Sequence, residues 1–154
     1  FLILLVISFI LLHLTKYGRK IFLIGVNRNT AEYSGIKTAR LVMSTYVLSG
    51  IAASIAGILL TSYLGTAKPD FGADLTLPII TAVVLGGTSI YGGKGNVIGT
   101  GLAALIIGFM KFGLTLIGIN AQYQDIPVGI LLIVSLIINF MINSNVFQNL
   151  KRKK

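Results

Sequence analysis

From Val42 to Leu64 the chain carries no charged residue. At about 1.5 Å per residue, that run outlasts the roughly 30 Å hydrocarbon core of a bilayer. In lipid every backbone N–H and C=O must be satisfied within the protein, and the run reads as a full-length membrane-spanning helix. Four further apolar runs accompany it. Val97–Ile117 is full length and is interrupted only by Lys111. Ile126–Ile142 follows Asp125, a fitting N-cap, and carries Pro127 in its expected first turn. Leu75–Tyr91 is short, with Pro78 where a missing N–H costs little. Phe1–Leu14 is apolar except for Ser8 and His13. It reaches only about 21 Å and is read as a truncated span. A chain that opens inside an apolar run is expected to be the C-terminal part of a longer membrane protein. No basic stretch precedes the run and no small-residue cleavage site follows it, so it is not read as a signal peptide. The expected fold class is all-α, a polytopic membrane helix bundle with about five transmembrane segments.

Composition agrees. Charged residues make 11% of the 154, against about a quarter in soluble domains, and the mean hydropathy is +0.89. There are 13 Lys and Arg against 4 Asp and Glu, but their placement explains the excess. The loop 15–41 holds Lys16, Arg19, Lys20, Arg28, Lys37 and Arg40 against Glu32 alone, and the tail ends Lys151, Arg152, Lys153, Lys154. Acidic residues gather in the other connections, Asp70 and Asp74 in one and Asp125 in the next. The positive-inside rule then puts the loop and the tail in the cytoplasm. That topology needs Leu75–Tyr91 to cross, which also brings Lys94 inside. The positive charge sets orientation, and no nucleic-acid partner is needed to explain it.

Small residues four apart allow helices to approach closely in lipid. Ser49, Ala53 and Gly57 form one such stripe, widened by Gly50 and Ser54; Thr100, Ala104 and Gly108 form another. Both suit packing within a multi-helix bundle. Seven glycines fall between Gly86 and Gly101. A phosphate loop is excluded by spacing: Thr88 stands where a Walker A needs Gly, and Gly95 where it needs Ser or Thr. A dinucleotide loop is excluded too, because Ile98 stands where the third Gly belongs. The stretch reads instead as a tight turn, Gly92–Asn96, with a helix end or break at Gly86-Gly87 facing the bundle interior.

The segment 25–36 is too polar for the membrane and too patterned for a linker. Asn29 and Glu32 have capping-box spacing, and Gly35 is a natural helix stop. They predict a helix of one to two turns over Thr30–Ser34, too short to persist without packing.

This loop resembles the coupling segment of ribose-type permeases of ATP-binding cassette importers, the class that takes up ribose, xylose, rhamnose or autoinducer-2. The resemblance rests on Gly25-Val26-Asn27, Ala31-Glu32 and Ser34-Gly35-Ile36, then on Tyr46-Val47-Leu48-Ser49-Gly50. Its most specific part is the run from Ala82 through Gly86-Gly87-Thr88 and Gly92-Gly93-Lys94-Gly95 to Val97-Ile98-Gly99-Thr100. It extends from about Arg19 to Ile142. The chain departs from the family at Thr30, commonly Ala, and at Lys111, where a neutral residue is expected. The resemblance implies a permease subunit in a bacterial cytoplasmic membrane that imports a sugar or sugar-like solute. Its partners would be an ATP-binding subunit, a second permease subunit (identical or paralogous) and an extracytoplasmic solute-binding protein. ATP would be used by the partner, with no cofactor bound here. The coupling contact would be Asn27, Ala31, Glu32, Tyr33, Ser34 and Gly35. Arg28 and Lys37 would face partner carboxylates or lipid phosphates.

An ionisable residue within a span is a functional candidate, so Lys111 is a possible solute-path residue, with Thr88 and Ser89. Snorkelling toward the interface is the competing reading of Lys111. The competing function is an ATP-independent, ion-coupled transporter or channel. Proton coupling commonly uses an acid or His inside a span, and on the sequence the four acids fall in loops or at span ends. One His, no Cys and no metal-ligand set leave little machinery for an enzyme.

Overall fold

The computed structural model describes residues 1–67 and 69–143. Helix α1 (Leu2–Phe9) runs into a π-helical turn (Ile10–Leu14). Then come α2 (Lys16–Val26), α3 (Arg28–Tyr33) and α4 (Thr38–Leu64). A 3-10 turn (Pro69–Leu75) leads into α5 (Thr76–Leu85), and α6 (Val97–Leu116) and α7 (Ala121–Asn143) complete the described chain. There is no strand among the described residues. The all-α expectation holds. Three helices are long and apolar enough to cross a membrane, and the bent pair Leu2–Leu14 and Lys16–Val26 makes a fourth if counted as one span. The fifth apolar element, Gly72–Leu85, is shorter.

Four details differ from the sequence reading. The first is in the loop 15–41, which contains a helix, α2, set at 69° to the preceding one. Thr15 makes the bend. Its hydroxyl donates to the Leu11 carbonyl at 2.6 Å and accepts from the Gly18 N–H at 3.3 Å, closing one helix and capping the next. The second concerns the apolar run 75–91, which is helical only to Leu85. Gly87, at φ +88°, ends it, with the Thr88 N–H reaching back to the Val83 carbonyl. Third, α7 begins at Ala121, so Asp125 lies one turn inside it rather than capping it, and Pro127 is an interior residue. Fourth, α4 starts at Thr38, before the uncharged run.

The core lies among α5, α6 and α7. Ala82, Ala103, Ile107 and Val128 are buried together, with Leu85, Ala104 and Met110 packed against them. Close approach explains the small residues. A Cβ on Gly86 would collide with the backbone of Gly99 and Thr100, and one on Gly99 with the Gly86 carbonyl. The end of α5 therefore touches the start of α6, backbone to backbone. There the Asn96 side chain caps α6 by accepting from the Gly99 N–H at 3.2 Å. The end of α7 reaches the same level, where the Asn139 amide donates to the Thr88 carbonyl at 3.2 Å. At this end too, the Gly92-Gly93 turn seats against Gly25 and Val26 of α2, with no room for a Cβ on Gly25, Gly92 or Gly93. By contrast, no part of the apolar stretch of α4 is buried, and Gly50 and Gly57 of its small-residue stripe face open space.

Candidate functional site

Helix α3 is built by three local devices. Asn27, in extended backbone (φ −158°, ψ 111°), is the N-cap, and its side-chain oxygen accepts from the Thr30 N–H at 3.2 Å. This corrects the expected cap: Asn29 lies inside the helix, and the helix covers Arg28–Tyr33 rather than Thr30–Ser34. Gly35, at φ +78°, ends it in a Schellman arrangement, with Ile36 N–H to the Ala31 carbonyl at 3.1 Å and Gly35 N–H to the Glu32 carbonyl at 2.9 Å. The Ser34 hydroxyl donates to the Thr30 carbonyl at 2.9 Å.

Six residues make a helix that water alone would melt, so its tertiary anchors decide its shape. Ala31 is buried. Glu32 does not return to an N-terminal N–H as a capping box requires. Its carboxylate accepts from the hydroxyl of buried Thr38, the first residue of α4, and from Arg28 Nε at 3.4 Å. The Thr38 hydrogen bond first, and the Arg28 guanidinium after it, hold the Glu32 carboxyl below its ordinary value of about 4.5. The Arg28 contact is exposed, and such surface pairs contribute little. Thr38 is therefore the main anchor. A further link, Tyr17 Oη to Ser44 Oγ at 2.7 Å, ties α2 to α4. Of the six expected contact residues, Tyr33 is 92% exposed and Ala31 is buried. Asn27 and Gly35 shape the helix, Ala31 and Glu32 hold it, and Ser34 closes its last turn.

The expected solute-path residues are not brought together. Lys111 lies toward the far end of α6, where its Nζ donates to Asp125 Oδ1 at 2.9 Å. Beside this pair, buried Gln124 donates to Thr115 Oγ1 and to the Ile119 carbonyl, both at 3.0 Å. Thr88 and Ser89 lie at the opposite end, before Asn96, about 22 Å from Lys111 along the α6 axis. Their backbone groups are engaged: Thr88 O with Asn139, and Ser89 N–H with the Lys94 carbonyl at 3.0 Å. Sequence reasoning missed Thr38, Gln124 and the role of Asp125. The Lys111–Asp125 pair did leave a signal, as opposite charges near the two ends of a short helix connection.

Residues 1–136 match the family described as the branched-chain amino acid transport system permease component. The chain belongs to that family, and with its long apolar helices it is a multi-pass membrane protein. It is 47% identical over 137 residues to the autoinducer 2 import system permease protein LsrD of Photorhabdus temperata, covering 89% of this chain and 41% of that protein. It is 45% identical over 133 residues to the protein of the same name from Yersinia enterocolitica, covering 86% and 40%. The Salmonella typhi protein of that name is 45% identical over 134 residues, covering 87% and 40%. The chain thus spans about two fifths of the length of these curated relatives. No solved structure matches the chain.

Proposed function

We propose that this chain is the C-terminal part of the permease subunit of an ATP-binding cassette importer for a sugar-like solute of the autoinducer-2 kind, in a bacterial cytoplasmic membrane. The observation that carries this reading is α3: a helix made in advance, anchored to a long membrane helix through Glu32 and Thr38, with Tyr33 facing outward. A partner ATPase closing on ATP would push on Tyr33 and its neighbours. The displacement would pass through the Glu32–Thr38 link into the first turn of α4. Packed helices respond to such a push by switching between discrete arrangements. ATP stays on the partner, since this chain has no phosphate loop. A second permease subunit completes the path, and an extracytoplasmic binding protein delivers solute.

The orientation follows the charges. The α3 end carries the basic residues of 15–41, and the Gly92-Gly93 turn that leads to Lys94 sits against Gly25 at that same end. Both fit the cytoplasmic side. The basic tail assigned there with them lies outside the described residues.

An ion-coupled transporter is the second reading. Contrary to the sequence-based placement, one acid, Asp125, lies within a long apolar helix and is paired with Lys111. ATP dependence separates the two. Solute uptake into vesicles holding the permease and its ATPase is expected to stop when the ATPase loses its phosphate-loop lysine. Uptake that continues and follows the proton gradient would replace the importer reading with the second one.

A further inference from the structure

A groove of about 590 Å³ runs between α2, the connection 34–37 and the start of α4. Lys20, Lys37 and Arg40 line it, from those three elements in turn, together with Tyr17, Ile36, Leu41 and the backbone turn Ser34-Gly35. Neither ion pair among the described residues involves any of the three cations. Glu32, the nearest acid in sequence, is turned to Thr38 and Arg28 and does not line the groove. Three like charges around one concavity repel each other, and an anion seated among them removes that cost.

Depth selects the kind of anion. Arg40 and Leu41 stand directly before the uncharged run 42–64. The Tyr17–Ser44 hydrogen bond ties α2 to α4 just inside that run. The groove therefore lies where acyl chains and headgroups meet, lined by cations and apolar side chains together. An acidic peptide would match the cations but not the apolar lining residues at this depth. A phospholipid matches both, phosphate on the cations and first methylenes on Ile36 and Leu41. We propose that this groove is a binding site for the headgroup of an anionic phospholipid of the inner leaflet. A lipid seated there touches both the α3–α4 connection and α2, and so braces the base on which α3 stands.

The test uses the permease that carries this sequence, in phosphatidylcholine nanodiscs containing a minority of phosphatidylglycerol. A fluorophore on Cys introduced by Tyr33→Cys, next to the groove but outside its lining, reports quenching by spin-labelled phosphatidylglycerol or spin-labelled phosphatidylcholine. Quenching by the anionic lipid is expected at lower lipid fraction. Each of Lys20→Gln, Lys37→Gln and Arg40→Gln is expected to reduce that preference about five-fold, the worth of one basic residue near an anionic surface. Lys20→Arg and Arg40→Lys retain it. Lys16→Gln with Arg19→Gln removes charge from α2 outside the groove and leaves the preference intact. Equal quenching by the two lipids overturns the proposal. So does an equal loss in the Lys16, Arg19 variant, which would mean diffuse surface attraction. Displacement of the labelled lipid by inorganic phosphate would make this a free-anion site and overturn the lipid assignment.

Discussion

Helices α4 and α6 carry the same kind of small-residue stripe, yet only the first half of the α6 stripe is packed, Gly108 beyond it meeting nothing. On α6, Gly99 and Thr100 meet the α5 backbone at Gly86, Leu5 of α1 rests on Gly101, and Ala104 borders the buried cluster. On α4, Gly50 and Gly57 meet nothing, and the apolar stretch is bare. Lipid supplies no hydrophobic drive between helices, so association comes from close van der Waals fit. A stripe marks a capacity for that fit. The neighbour itself is fixed by topology: α5 packs against both α6 and α7, whereas among the described residues α4 is fastened mainly near its base, to α2 and α3.

The largest expected effect tests this contrast. Gly86→Leu forces a side chain into the α6 backbone and is expected to cost about 3 kcal/mol, the upper range for overpacking. Gly57→Leu is expected to stay within about 0.5 kcal/mol in this chain, as substitutions into open space do. Thermal unfolding in detergent reads both, and equal losses would end the distinction between the two helices. Next is the Lys111–Asp125 link. Lys111→Ala leaves a carboxylate unpaired, but the pair is partly exposed (27% and 42%). The expected loss is therefore about 1 kcal/mol, below that of a fully buried pair. Replacing both by Met and Leu should recover most of it in a double-mutant cycle. A loss at Asn27→Ala of about 1 kcal/mol, seen as faster amide exchange at Thr30, would sharpen the assignment of the cap.

Thr38→Val is expected to cost up to about 1 kcal/mol, because the half-exposed Glu32 carboxylate regains water, while uncoupling ATP hydrolysis from transport under the proposed function. Thr38→Ser should restore coupling. The pH dependence has a defined sign. Glu32 is held below its ordinary value of about 4.5 when folded. Its link to Thr38 is thus complete at neutral pH and is lost as pH falls through the lowered folded value. Exchange of the Gly35 and Ile36 amides, followed with decreasing pH, reports that loss.

Much of this was legible in the sequence because lipid imposes strict rules. Apolar length announced α4 and α6, and the glycine run announced the end of α5 and the turn before Asn96. Gly35 announced the stop of α3. What escaped depended on contacts between segments. Two asparagines lie two residues apart, and Asn27 rather than Asn29 became the cap because Glu32 found Thr38 instead of its own helix N-terminus. Helix α2 was hidden by three cations and two glycines within Lys16–Val26. Its glycines turned out to mark close approach, at Gly25 against the Gly92-Gly93 turn. The polar start of α7 read as a connection, because the opposite charges of Lys111 and Asp125 were not joined in the reading and nothing local showed that Gln124 reaches across to Thr115.

The most direct test of the central claim uses the absence of native cysteine in this chain. Single cysteines at Tyr33 and at Ala31 would be paired with cysteines along the exposed groove of the candidate ATPase, with and without ATP. The expected result is a strong, nucleotide-sensitive disulfide from Tyr33→Cys and little from Ala31→Cys, whose position is 3% exposed. Equal cross-linking from both positions would contradict the anchored geometry of α3. No cross-link from either, with both proteins folded and in the membrane, would contradict its role as the coupling helix.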